Sequence, residues 1–171
     1  MKHLLENWRE YVKEELTPDV MYHTTFQPRN AESIEANGLR VGSKEVGFSM
    51  ASNWSNDVYG VRPVYLSMKP SEGGDRRYEG ITFEVDVSGL TLYPDLPTLV
   101  DYGAYVEERE GMYWEYGEVP SEMEGVVDGD GFMSFDALLN PDSSAAEAVI
   151  GLTSTAVSLE DIGPERLRRL Q

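Results

Sequence analysis

The order of the predicted elements is the feature that most constrains the fold of this chain. Residues 2–16 carry apolar side chains at spacings of three and four, which predicts an amphipathic helix that ends before Pro18. Short extended segments dominate the later part of the sequence, without regular strand–helix–strand alternation and without an internal repeat. This order predicts an α+β fold with mainly antiparallel sheets.

Short apolar runs predict the strands, and residues 81–87 alternate most clearly between apolar and polar side chains. The other predicted strands are residues 20–24, 46–51, 63–68, 146–152 and 156–159. Two short helices are predicted over residues 30–38 and 52–60, each closed by a glycine. A loop is predicted at residues 71–75, and a closing helical turn begins at Pro164 and runs to residue 169.

A chain of 171 residues is long enough for one domain with a buried core. We expect a single domain over residues 1–171, made of an N-terminal helix over 1–18 and a body over 19–171. Within the body, residues 94–141 are rich in proline, glycine and acidic side chains. They are predicted to form an irregular acidic insertion.

Composition narrows the possible partners. The formal net charge of −17 repels nucleic-acid phosphates and anionic membranes over most of the surface. The absence of cysteine excludes disulfides, zinc–thiolate sites and a cysteine nucleophile. No leader cleavage site or long apolar window is present, which predicts a soluble, cytoplasmic protein without direct membrane contact. The oligomeric state stays open.

A histidine directly after an apolar run is the strongest functional signal. His23 stands in Tyr22-His-Thr-Thr25 and is one of only two histidines. A short helix and Asn37-Gly-Leu39 follow it, then Gly47-Phe-Ser-Met50 and a helix that ends in Val58-Tyr-Gly60. The late segment Ala146-Glu-Ala-Val-Ile150 completes the series. This order resembles the ADP-ribosyltransferase superfamily, in the diphtheria-toxin-like and poly(ADP-ribose) polymerase-like branch that uses a histidine, a tyrosine and a glutamate.

The resemblance implies a split arrangement of mainly antiparallel sheets with a few short helices around an NAD cleft, with NAD as co-substrate. By this resemblance His23 binds a ribose hydroxyl and the Thr24 backbone holds the nicotinamide carboxamide. Phe48 and Tyr59 take the places of the two rings that sandwich the nicotinamide, and Asn56 stands where the family usually has a serine.

The resemblance makes Glu147 the catalytic carboxylate, and the chemistry agrees with that role. Breaking the nicotinamide glycosidic bond creates positive charge on the ribose, which a fixed carboxylate stabilises. Glu115 and Glu118 are competing candidates because they also lie on a short strand-like piece. Ala145 and Ala146 precede Glu147 where the family carries acceptor-selecting residues, so the acceptor stays open.

The predicted function is therefore mono-ADP-ribosyl transfer from NAD to a macromolecular acceptor, with a protein expected rather than a nucleic acid. Hydrolysis of NAD without transfer belongs to the same class. The alternative is a non-enzymatic acidic protein that binds a basic partner by mimicking nucleic acid. No phosphate-binding glycine loop or metal motif occurs in the sequence, and Asp128-Gly-Asp-Gly131 is interpreted as a turn, so no metal is predicted.

Overall fold

A computed structural model describes residues 18–43, 50–70, 80–107 and 110–170 of the chain. In chain order the elements are β1 (Val20–Thr25), α1 (Pro28–Asn37), α2 (Met50–Tyr59), β2 (Val64–Ser67), β3 (Ile81–Asp86), β4 (Tyr93–Pro94), α3 (Leu96–Asp101), β5 (Ala104–Glu107), β6 (Gly111–Trp114), β7 (Phe132–Ser134), α4 (Phe135–Leu138), α5 (Ser144–Thr153), β8 (Thr155–Ser158) and β9 (Leu167–Arg169), with 3₁₀ turns at Ser121–Met123 and Pro164–Arg166. The predicted N-terminal helix, Phe48 and the loop 71–75 lie outside the described residues. The predicted strand 46–51 lies partly outside them, and its last two residues, Met50 and Ala51, begin helix α2 instead.

Two antiparallel sheets organise the described part of the chain. Six strands form the larger sheet in the order β4-β8-β2-β1-β3-β9, and β5, β6 and β7 form the smaller one. Every strand pair in both sheets is antiparallel. The α+β class with mainly antiparallel sheets, predicted from the order of elements, is confirmed.

One face of the larger sheet carries the first core. Phe83 and Val85 alternate with polar neighbours along β3 and are fully buried, as the period of two predicts. Helix α1 covers this face with Ala31 and Ile34. The helix ends where Gly38 takes a φ of 79°, a left-handed conformation that favours glycine.

The second core lies on the opposite face, because Tyr65 and Val157 pair across β2 and β8 and point away from the first core. The side chains packed there come from the helices and the smaller sheet, and include Leu96, Leu99, Met112, Met123, Leu138 and Val149. Burying one such side chain stabilises the fold by about 1.5–3 kcal/mol. The smaller sheet is therefore attached to the larger one through a shared apolar core.

The prediction of a strand at residues 146–152 is wrong, because these residues lie in helix α5. The Ser143 hydroxyl caps the helix by accepting a hydrogen bond from the Ala146 backbone N–H at 3.1 Å. The buried residues Ala145, Ala146, Val149, Ile150 and Thr153 follow the spacing of a helix. Glu147 consequently stands on the first turn of a helix and not on a strand.

Residues 94–141, predicted as an irregular acidic insertion, contain regular structure. They include helices α3 and α4 and the whole smaller sheet. Each strand of that sheet has only three or four residues, which is too few to show a clear alternation of apolar and polar side chains in the sequence. In the same way, the predicted closing helical turn is a 3₁₀ turn at Pro164–Arg166 that continues into strand β9. Among the described residues no helix has the length and apolar character needed to cross a bilayer.

Candidate functional site

His23 is held in one tautomer by a neighbouring strand. Its Nδ1 lies 3.0 Å from the backbone carbonyl oxygen of Tyr65 on β2. A carbonyl only accepts hydrogen bonds, so Nδ1 carries the proton and Nε2 is an acceptor in the neutral ring. Burial lowers the pKa of His23, against a smaller opposing effect of the bond to Tyr65. The neutral form with an accepting Nε2 is therefore favoured near pH 7.

The sheet opens beside His23. Strands β1 and β3 pair over six residues, from Val20 opposite Asp86 to Thr25 opposite Ile81. The pairing of β1 with β2 is limited to Tyr22 opposite Ser67. The bond from the imidazole to the Tyr65 carbonyl thus bridges the two strands beyond the point where their backbone pairing ends.

A groove of about 300 Å³ lies at this opening. Strands β1 and β2 supply His23 and Tyr65, and helix α1 supplies Asn30 and Ser33. The volume lies at the lower end of the range for small-molecule pockets. The groove is large enough to hold part of a nucleotide.

Backbone contacts fix the segment that closes the groove. Gly42 and Arg62 exchange two backbone hydrogen bonds of 2.9 and 3.0 Å, and Leu39 pairs with Ile162. A Cβ at Gly38 would clash with the Ile162 carbonyl oxygen, so a glycine is needed for this close approach as well as for its positive φ. The segment from Gly38 to Gly42 is therefore anchored at both ends.

Two arginines give the groove a positive character. Arg40 and Arg62 line it, and no aspartate or glutamate is among the described residues that do so. The Arg40 guanidinium donates to Asp161 at 2.6 Å, and the Val41 backbone N–H donates to the other carboxylate oxygen at 2.9 Å. These two contacts lower the pKa of Asp161. The groove therefore offers an anionic ligand two guanidinium groups, of which that of Arg40 is paired with Asp161.

Tyr59 does not line this groove. Its ring is buried in the second core, its hydroxyl donates to the Pro94 carbonyl at 2.6 Å, and the Leu96 backbone N–H donates to that hydroxyl at 2.9 Å. Burial is the main reason why the pKa of Tyr59 is raised well above its usual value. Asn56 precedes it on α2 and is also buried. Both side chains are therefore buried, and neither lines the groove.

Glu147 lines a different cavity. That cavity, about 330 Å³, is bordered by Glu147, Asp19 and Asp142, and it shares no lining residue with the His23 groove. The competing carboxylates Glu115 and Glu118 are exposed beyond the end of β6 and line neither cavity. The structure does not bring His23, Tyr59 and Glu147 together.

The remaining residues that were predicted for the site, Thr24 and Phe48, do not contribute a described side chain to the His23 groove. The Thr24 hydroxyl lies 2.9 Å from the Thr82 hydroxyl, on the sheet face opposite to the His23 side chain. Phe48 lies outside the described residues. Sequence reasoning did not single out Asn30, Arg40 or Arg62, although Arg40 directly follows the Gly38-Leu39 signal. The position of Arg62 depends on the pairing with Gly42, which the linear sequence does not reveal.

No family model, curated protein or solved structure matches this chain.

Proposed function

We propose that this chain binds NAD in the His23 groove and acts as an NAD-dependent mono-ADP-ribosyltransferase. The observation that carries the proposal is the groove itself, where a neutral histidine with an accepting Nε2 and two arginines line one opening in the sheet. A ribose hydroxyl is a suitable donor for Nε2. A diphosphate is a suitable partner for guanidinium groups.

The proposal also uses the resemblance of the sequence around His23 to ADP-ribosyltransferases. NAD would serve as the co-substrate, and a protein would serve as the macromolecular acceptor. Within the groove, His23 orients a ribose, while Arg40 and Arg62 hold the negative charge of the dinucleotide. The excess of acidic residues elsewhere on the chain repels an anionic ligand, so its binding depends on these two cations at short range.

The catalytic carboxylate is the part of the proposal that rests on the resemblance alone. Glu147 is assigned to this role. It lies on α5 beside a cavity separate from the His23 groove, so its substitution tests the assignment independently of the groove. A carboxylate that stabilises the developing charge on the ribose must approach the bond that breaks. Loss of turnover on substitution of Glu147 would therefore require that α5 and the groove come together when NAD binds.

Nicotinamide release from NAD tests the function, with and without a cell lysate as the source of acceptor. The wild type is compared with Glu147→Gln, which keeps the size of the side chain, and with Glu165→Gln as a control that removes one exposed carboxylate elsewhere. We expect release that rises with lysate and is lost in Glu147→Gln only. Release that persists in Glu147→Gln removes Glu147 from the mechanism. If the wild type releases no nicotinamide and NAD does not stabilise it against unfolding, the proposal of an enzyme is contradicted. The acidic binding protein then remains as the alternative function.

A further inference from the structure

The outer face of the smaller sheet carries a row of aromatic rings. Tyr105, Tyr113 and Phe132 stand opposite one another on β5, β6 and β7, and together they are named the tyrosine face. The ring centres of Tyr105 and Tyr113 lie 5.5 Å apart with an angle of 20° between the planes. The centres of Tyr113 and Phe132 lie 4.8 Å apart. The first pair is stacked and the second is tilted, with an angle of 53° between the planes, so the three rings form a continuous row of contacts across the sheet.

This face points away from the core. The alternate residues on the same strands, Val106, Met112 and Met133, pack into the second core. Tyr105 is 42% exposed on the other side. At Gly111 a Cβ would clash with the Phe132 ring and the Met133 carbonyl oxygen, so the glycine leaves room for that ring. The aromatic rings therefore lie on the side of the sheet that faces away from the second core.

The segment that carries the tyrosine face is strongly acidic. Residues 101–136 contain eleven acidic residues and one basic residue, and thus carry −10 of the net charge of −17. Desolvation is the main reason why the pKa of Tyr113 is raised, and the carboxylates of Glu107 and Asp128 raise it further. Among the described residues, no ion pair joins an acidic side chain of this segment to a cation. The described cations therefore do not neutralise the acidic side chains of this segment.

We propose that the tyrosine face is a docking surface for an arginine-rich segment of a partner protein. Charge complementarity requires a cationic partner, since the segment that carries the tyrosine face has a net charge of −10. The rings select arginine over lysine, because a planar guanidinium stacks on an aromatic face and also forms paired hydrogen bonds with a carboxylate. This surface is separate from the His23 groove, and the inference does not depend on NAD binding.

Binding of a fluorescein-labelled octa-arginine peptide, measured by fluorescence anisotropy at about 150 mM salt, tests the proposal. Octa-lysine is the matched probe because it has the same charge without the planar group. Two double variants alter the face: Tyr105→Ser with Tyr113→Ser removes rings, and Glu107→Gln with Asp128→Asn removes charge but keeps every ring. Asn at position 128 keeps the side-chain oxygen that accepts from the Asp130 and Phe132 backbone N–H groups, both at 2.9 Å.

Two controls match these changes elsewhere on the surface. Glu32→Gln with Glu160→Gln removes the same charge from exposed positions outside the segment, and Phe26→Ser removes an aromatic ring that is 60% exposed. We expect both double variants to weaken octa-arginine binding by about fivefold or more, with the controls unchanged. Octa-lysine should bind the wild type more weakly than octa-arginine.

Equal binding by the double variants and the controls would overturn the proposal, since it would show diffuse attraction to the whole acidic chain. Absence of octa-arginine binding would overturn it as well. Octa-lysine binding as tight as that of octa-arginine would refute the role of the rings. If the tyrosine double variant fails to fold, the charge variant decides the outcome, because its substitutions leave the packing of the sheet intact.

Discussion

Substitution of Tyr59 by phenylalanine removes one oxygen atom that connects three parts of the fold. The Tyr59 hydroxyl on α2 donates to the Pro94 carbonyl on β4 and accepts from the Leu96 N–H at the start of α3. Leu96 is the first residue of a helix, so its N–H has no acceptor within that helix. In Tyr59→Phe this buried donor loses the partner that the wild type provides.

The expected cost follows from these two bonds. Loss of the bond to Pro94 costs about 0.5–1.5 kcal/mol, and a buried N–H without an acceptor costs about 1–3 kcal/mol more. We therefore expect Tyr59→Phe to lower the free energy of unfolding by about 1.5–4.5 kcal/mol. For a chain of this length that corresponds to a decrease in Tm of roughly 3–18 °C.

Urea unfolding followed by circular dichroism measures this cost, and Tyr105→Phe is the matched control. The Tyr105 side chain is exposed on the outer face of the smaller sheet, so removal of its hydroxyl should change the free energy of unfolding by less than about 0.5 kcal/mol. Equal stability of Tyr59→Phe and Tyr105→Phe would refute the buried hydrogen-bonded position of Tyr59. It would then favour a position open to a ligand.

Three further predictions concern other parts of the fold. Ser143→Ala should destabilise the protein by about 1–2 kcal/mol in urea unfolding, because it removes the cap of α5, whereas Ser144→Ala, at an exposed neighbouring position, should have little effect. Because burial lowers the pKa of His23, the unfolded chain binds the proton more tightly, so wild-type stability should fall as the pH decreases through the unfolded value of 6.5. His23→Gln should lack this part of the pH dependence, and parallel pH profiles of the two proteins would contradict the prediction. Gly111→Ala should lower Tm, since its Cβ meets the Phe132 ring; an unchanged Tm in a thermal scan would show that the ring does not lie against Gly111.

Local signals were sufficient for several elements of the fold. Strand β3 was predicted because Phe83 and Val85 alternate with polar residues, and helix α1 because Gly38 marks its end. Helix α5 was mistaken for a strand since Val149 and Ile150 have β-branched side chains, which favour strands in isolation. The cap at Ser143 and the burial of one helix face override that preference in the folded protein.

The site was harder to predict because its geometry depends on distant pairings. His23 was singled out by its place after an apolar run, but its tautomer depends on a carbonyl 42 residues away. The resemblance to ADP-ribosyltransferases assigns Tyr59 to one of the two rings that hold the nicotinamide. Its partners Pro94 and Leu96 lie 35 and 37 residues further along the chain, and no sequence signal connects them to Tyr59.

The most direct test of the central claim is the affinity for NAD measured by isothermal titration calorimetry, comparing Arg40→Gln with Arg29→Gln. Each variant removes one arginine charge, but only Arg40 lines the His23 groove. Loss of a charged hydrogen bond to a phosphate costs about 1.5–3 kcal/mol, so we expect Arg40→Gln to weaken binding by about tenfold or more. Arg29→Gln should bind as the wild type does. Equal NAD affinity in all three proteins, or no NAD binding by the wild type, would contradict the assignment of the groove.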